Sequence, residues 1–259
     1  MSIIGVAVSE ASLTASISAP PVCEKPREDE WERLVKSLKD GTYKARYEVG
    51  DVVHGLNAGK YGTFDAKIIA MDTDQINGTR KKAAFTFLLT RVLPDRMKMN
   101  PKWAEEDPDD DERFIPGTGA VNGWMGCSLR RWLREEFLPA LPDIVRENIV
   151  EVVKSSRTFT EKSQIFDVMT ADKLWIPSRR EVFGAGRFRE LTGPIYDEAF
   201  DDDESRVILD KDGDPSWWWL RSANYDIYFS SVYTDGSYNS INAYYEGGVA
   251  VGFCLGSGI

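Results

Sequence analysis

The chain has 259 residues, 42% hydrophobic and 12% aromatic, which provides for one large core or two small ones and excludes wholesale disorder. A formal net charge of −10, with no basic stripe, excludes a protein that tracks nucleic-acid phosphates and suits a self-repelling particle or an extracellular surface. No apolar run reaches membrane-spanning length.

The first 26 residues lack the basic opening of a secretory signal and are expected to form a flexible or partner-ordered tail. From Glu28 to Lys39, Trp31, Leu34, Val35 and Leu38 share one helical face, and Gly41 follows as a stop. Strand-like runs come next at Tyr43–Val49, Phe64–Met71 and Ala83–Leu89, separated by turn-rich pieces such as Asp72–Gly78. Ser128 reads as the N-cap of a helix whose stripe is Leu129, Trp132, Leu133 and Phe137, ended by Pro139 and Pro142. A short helix at Asp143–Asn148 leads into a strand at Ile149–Ser155, with another strand at Lys173–Pro177. Ser178 and Glu181 have the spacing of a capping box. The end reads as sheet: a strand at Trp217–Arg221, a hairpin turning at Asp235–Gly236, and a buried strand at Gly248–Leu255. The predicted class is α+β, one domain over residues 27–259 on a mixed, mostly antiparallel framework.

The chemistry of common enzymes is missing. His54 is the only histidine, and no G-x-S-x-G elbow or phosphate-binding glycine loop accompanies it. His54 is expected at a strand edge rather than as a base. Paired carboxylates are abundant, so a two-carboxylate mechanism stays open by inventory, but nothing marks one pair out. Cys23, Cys127 and Cys254 make no zinc pattern; Cys127 and Cys254 read as buried thiols, with one bridge between them left open. The acidic runs Glu105–Glu112 and Asp197–Glu204, with Asp72–Gly78 and Asp210–Asp214, are expected to be solvated loops, since none has EF-hand spacing. No catalytic residue, cofactor or metal is expected.

One segment stands apart in composition. Asn224–Tyr245 holds 6 of the 10 tyrosines, with 4 serines and 3 asparagines in 22 residues, and has no Lys, Arg, Leu, Met, Trp, Gln or Glu. Tyrosine with Ser and Asn is the composition of an antibody paratope. It is also that of an ordinary tyrosine-rich hairpin.

Several phrases carry a family resemblance: Trp31-Glu-Arg-Leu, Asp40-Gly-Thr-Tyr43, Val49-Gly-Asp51, Met99-Asn100, Ser128-Leu-Arg-Arg-Trp-Leu133, Asp172-Lys-Leu-Trp-Ile-Pro-Ser178, Glu181-Val-Phe-Gly184, Trp218-Trp-Leu-Arg-Ser222 and Gly248-Val-Ala-Val-Gly-Phe-Cys-Leu255. Together they resemble the variable proteins of diversity-generating retroelements of bacteria and their phages, in the branch ending GVxPGFCL, with Val251 standing where that branch has proline. The resemblance implies a C-type-lectin-like fold whose C-terminal segment is diversified at adenines of codons such as AAC. It further implies a non-enzymatic display protein that binds a protein or cell-surface ligand, on a virion or a bacterial surface. Every residue from 224 to 245 fits the amino acids such codons yield.

On this pattern the ligand-binding positions are Tyr225, Asp226, Ile227, Tyr228, Ser231, Tyr233, Tyr238, Ser240, Ile241, Asn242, Tyr244 and Tyr245, with Asn224 and Asn239 at the margins. Phe229, Val232, Gly236 and Ala243 read as framework, and strand alternation from Val232 places Ser231 and Tyr233 on the solvent face. Trp217, Trp218 and Trp219 read as scaffold, because adjacent strand residues cannot all point one way. The rival readings are a structural component whose hairpin serves oligomerisation, and an enzyme on the same fold related to formylglycine-generating enzymes.

Overall fold

The protein is described from a computed structural model, covering residues 29–100, 123–159, 165–185, 192–225 and 228–256. The N-terminal tail with Cys23 and the acidic run Glu105–Glu112 lie outside the described residues. The class is α+β, and every strand pair is antiparallel among the described residues.

Helix α1 (Glu30–Lys39) starts where the Trp31 amide donates to Asp29 Oδ1 at 2.7 Å. Acidic Glu30 and Glu32 sit in its first turn and Lys36 and Lys39 in its last, each sign favourable to the helix dipole. Its apolar face seats Trp31 against Phe87 and Phe253, with ring centroids 5.5 and 6.1 Å apart. Those rings belong to the main sheet, built from β1 (Val52–Asn57), β2 (Thr63–Met71), β3 (Phe85–Leu89), β6 (Leu174–Trp175) and β12 (Gly252–Leu255) in the order β1-β2-β3-β12-β6. The last strand is thus inserted between β3 and β6, and all four of its residues are buried. Buried on both faces, β3 and β12 are apolar throughout except for Thr86.

The segment Tyr43–Val49 is not a strand. Tyr43–Ala45 is a 3-10 turn, and the Tyr47 amide donates to the Tyr43 carbonyl at 2.9 Å. A spacing of four puts both rings on one side of the turn, edge-on to Phe85 at 5.3 and 5.6 Å. Helix α2 (Gly123–Gly126) precedes α3 (Ser128–Trp132), which runs on through a π-turn at Leu133–Phe137. Leu129, Leu133 and Phe137 are buried and Trp132 packs beside them. Ser128 is not the cap: Cys127 occupies that position, and the Ser128 amide donates to Asn100 Oδ1 at 2.9 Å. A distant asparagine thus satisfies the amide of the first helical residue.

Helix α4 (Asp143–Arg146) is followed by β4 (Val152–Phe159), which pairs with β5 (Ile165–Asp172) as a long two-stranded ribbon. Helix α5 (Arg179–Phe183) carries the expected capping box: Ser178 Oγ accepts from the Glu181 amide and Glu181 Oε2 from the Ser178 amide. The short pair β7 (Ile208–Leu209) and β8 (Pro215–Ser216) precedes a three-stranded sheet, β9 (Trp218–Tyr225), β10 (Tyr228–Val232) and β11 (Tyr238–Asn242), ordered β11-β10-β9. Both Cys127 and Cys254 are buried free thiols. Burial raises both, Cys127 to about 12, which keeps them protonated and unreactive.

Candidate functional site

The three-stranded sheet forms the tyrosine-rich surface. Adjacent tryptophans at the start of β9 point to opposite faces: Trp218 Nε1 donates to the Arg206 carbonyl at 3.1 Å and Trp219 Nε1 to the Met97 carbonyl at 2.8 Å. Both are fully buried, and the half-buried Trp217 stands edge-on to Trp219 at 5.0 Å. The chain returning from β11 lies against this strand, where the Trp219 amide donates to the Gly248 carbonyl at 3.0 Å. A second tie joins the Asn100 amide to the Ala243 carbonyl at 3.1 Å. The surface is therefore fixed at both ends of the hairpin.

The hairpin itself turns at Asp235–Gly236. Val232 pairs with Tyr238, Ser231 with Asn239 and Phe229 with Ile241, and the Tyr233 amide donates to the Ser237 carbonyl at 2.8 Å. Gly236 has φ 83°, and a Cβ there would lie 1.7 Å from the Asp203 carbonyl oxygen. Only glycine fits, for conformation and for space alike.

Phe229, Val232, Gly236 and Ala243 are all buried. Among the expected binding positions, Tyr233 and Tyr245 are exposed, each at 48%. Tyr228, Tyr238, Ser240, Ile241, Asn242 and Tyr244 are half-buried. Tyr244 stacks on Tyr245 at 5.0 Å, and Asn242 Nδ2 donates to Tyr244 Oη at 3.2 Å. Tyr238 is tied more firmly to the frame, edge-on to Phe183 at 5.8 Å with its hydroxyl 3.4 Å from Arg179 Nη1. Ile241 packs against the core. Asp226, Ile227 and the side chain of Tyr225 lie outside the described residues.

Ser231 does not face solvent. It is 1% exposed, on the face of the sheet that carries the buried Trp219. Alternation fails as a guide because β10 is the central strand and both of its faces are covered, so Phe229 through Val232 are buried in succession. Beside the hairpin, an open groove of about 620 Å³ is lined by Arg96, Lys98, Arg131, Trp132 and Glu246, the residue after Tyr245.

Behind this sheet lies a buried ionic network that the sequence did not reveal. Arg221 of β9 grips Glu181 of α5 with two hydrogen bonds, Nη1 to Oε2 at 2.5 Å and Nη2 to Oε1 at 2.8 Å. Its remaining donors reach the Ser155 and Ile176 carbonyls. Lys154 Nζ of β4 lies 2.6 Å from Asp74 Oδ1, 3.2 Å from Glu181 Oε1 and 2.7 Å from Tyr196 Oη, and 3.4 Å over the centre of the Trp175 ring. All four charged side chains are fully buried. Burial pushes the Glu181 carboxyl up, but Arg221 and then Lys154 outweigh it and hold it down to about 2. Asp74 is the departure from expectation: its loop reads as solvated, yet this carboxylate serves the interior, while Asp72 in the same loop is exposed. The loops at Asp197–Glu204 and Asp210–Asp214 are largely exposed, as expected, apart from buried Ala199 and Phe200.

His54 lies in the edge strand β1, where its Nδ1 is 3.0 Å from Asp65 Oδ2 and that hydrogen bond raises its pKa. No cluster of three or more His, Cys, Asp or Glu suited to a metal occurs among the described residues. No described helix is long and apolar enough to cross a membrane.

An antiparallel α+β frame carrying a tyrosine-rich hairpin is thus the class of protein defined here. A family model described as a domain of unknown function, DUF6273, matches residues 110–257, more than half of the chain, and the chain belongs to that family. No curated protein and no solved structure matches it.

Proposed function

We propose that this is a non-enzymatic ligand-binding display protein with a C-type-lectin-like fold, whose surface between Asn224 and Tyr245 is diversified by a retroelement. The observation that carries this reading is the division of labour inside the segment. Buried framework residues (Phe229, Val232, Gly236 and Ala243) share the segment with exposed or half-buried Tyr233, Tyr238, Asn239, Ser240, Asn242, Tyr244 and Tyr245, on a sheet anchored by Trp218, Trp219 and the Gly248 backbone. Such a frame tolerates changes of side chain at its surface without loss of fold.

Binding energy comes from Tyr233, Tyr244 and Tyr245 as rigid amphipathic anchors, with Asn242 and Ser240 fixing geometry. The adjoining groove with Arg96 and Trp132 extends the contact area. The target is a protein or other cell-surface molecule, met on a virion or a bacterial surface. Ser231, being buried, is removed from the binding set.

The decisive experiment is to sequence the DNA around the gene. A near-copy of the stretch encoding residues 224–245, differing only at adenines and beside a reverse-transcriptase gene, is the expected result. A locus without such a template overturns the proposal. For the protein, the solution mass of hairpin variants separates display from oligomerisation: the display reading requires Tyr233 and Tyr245 substitutions to leave it unchanged.

A further inference from the structure

We propose that Lys154 and Asp74 join in a spontaneous isopeptide bond, a covalent cross-link between strand β4 and the loop after β2. This inference is independent of what the C-terminal surface binds.

The geometry is that of a condensation site rather than of a simple ion pair. The amine and carboxylate are in contact at 2.6 Å, and both are fully buried. Enforced contact of two reactants replaces a bimolecular step with an intramolecular one, a gain of up to ~10⁸ M in effective concentration. Neither side chain is exposed to bulk solvent, which limits the back reaction with water. A buried ion pair also carries the desolvation cost of two charges, which a neutral amide does not.

The groups around the pair match the needs of each step. Lys154 Nζ donates to Tyr196 Oη at 2.7 Å, and that hydroxyl donates to Asp74 Oδ1 and Oδ2 at 3.0 and 2.9 Å. Tyr196 is therefore a proton relay between the nitrogen that must lose protons and the oxygen that must gain them. Its buried hydroxyl, raised well above the ordinary range by burial and by Asp74, retains its own proton in the resting state. Glu181 Oε1, held ionised by Arg221, lies 3.2 Å from Nζ, where its charge stabilises the positive nitrogen of the addition intermediate. Thr86 Oγ1 donates to Asp74 Oδ2 at 2.6 Å and marks that oxygen as the one that remains as the amide carbonyl.

The bond balance closes without a co-reactant. One proton passes from the Lys154 ammonium to Asp74 Oδ1, and the neutral amine attacks Cγ to form the C–N bond. A second proton travels from nitrogen through Tyr196 to Oδ1, the C–Oδ1 bond breaks, and Oδ1 leaves as water. One ammonium and one carboxylate become one amide and one water, and nothing is oxidised or reduced.

Intact mass under denaturing conditions, on the full-length chain purified beside a Lys154→Met variant, tests the proposal. After correction for the substitution, the natural chain is expected to be lighter by one water. A protease digest is expected to yield one branched peptide joining Asp74 to Lys154. An Asp74→Asn chain is expected to lose ammonia in place of water, and Tyr196→Phe to leave a larger uncross-linked fraction. A natural chain with the full mass of its sequence overturns the proposal, as does a lost water that the digest places elsewhere.

Discussion

Arg221 and Tyr233 belong to the same small sheet and its turn, yet they answer to opposite demands. Arg221 is fully buried, with its donors directed at Glu181 and at two backbone carbonyls. Tyr233, just past the end of the neighbouring strand, is 48% exposed. One residue is fixed by geometry that no other side chain reproduces, and the other leaves about half of its surface to solvent. The contrast teaches that a fully buried charge and a half-exposed tyrosine can share one small sheet and its turn, provided that the interior side of the sheet carries the fold's interactions.

That comparison can be broken most severely from the inside. Arg221→Met strands the buried Glu181 carboxylate, and a loss of about 3–5 kcal/mol in urea unfolding is expected. Arg221→Lys is expected to fail in the same direction, because one ammonium cannot replace a two-pronged grip. A smaller cost, about 1–3 kcal/mol, is expected for Ser231→Tyr, which overfills a buried site. Tolerance of tyrosine at this position in a thermal melt would restore Ser231 to the variable set. Gly236→Ala should lower the melting temperature for a different reason, backbone strain and collision with Asp203.

Acid sharpens the contrast. Glu181 has a folded pKa of about 2, below its unfolded value near 4.5, so its contribution to stability is full above that unfolded value. It is lost as pH falls from about 4.5 toward 2. Chemical unfolding across this range is expected to show a decline that the Glu181→Gln variant lacks. The mildest changes lie outside: Tyr233→Ser and Tyr245→Ser are expected to shift stability by no more than about 0.5 kcal/mol. A cooperative loss of fold in either variant would mean that the surface is structural.

Much of the fold was legible in advance. Periodicity located α1 and the α3 stripe, the capping box located α5, and the Asp235–Gly236 turn located the hairpin, though not the register in which its strands pair. Local signals misled where a tertiary partner took over. Tyr43 and Tyr47 look like a strand but pack their rings on Phe85. Ser128 looks like a cap but is the first residue of the helix, and its amide is held by the side chain of Asn100. The tyrosines of the surface were found through composition, because a restricted alphabet is visible in one dimension. The ionic network was not, since Asp74, Lys154, Glu181 and Tyr196 are scattered along the chain, and Glu181 reads only as a helix cap while the others read as ordinary polar residues. The ribbon of β4 and β5 was half seen, as a strand placed too early and left without a partner.

Spacing and composition, then, determined several of the helices and strands and which segment would carry the tyrosines, because helical and strand periods and turn chemistry act between near neighbours. Tertiary structure alone decided that Ser231 is inside and Tyr233 outside, since that depends on β10 being a central strand with both faces covered. It likewise decided that Lys154 and Asp74 meet fully buried in the interior, because burial and contact between distant residues are properties of packing.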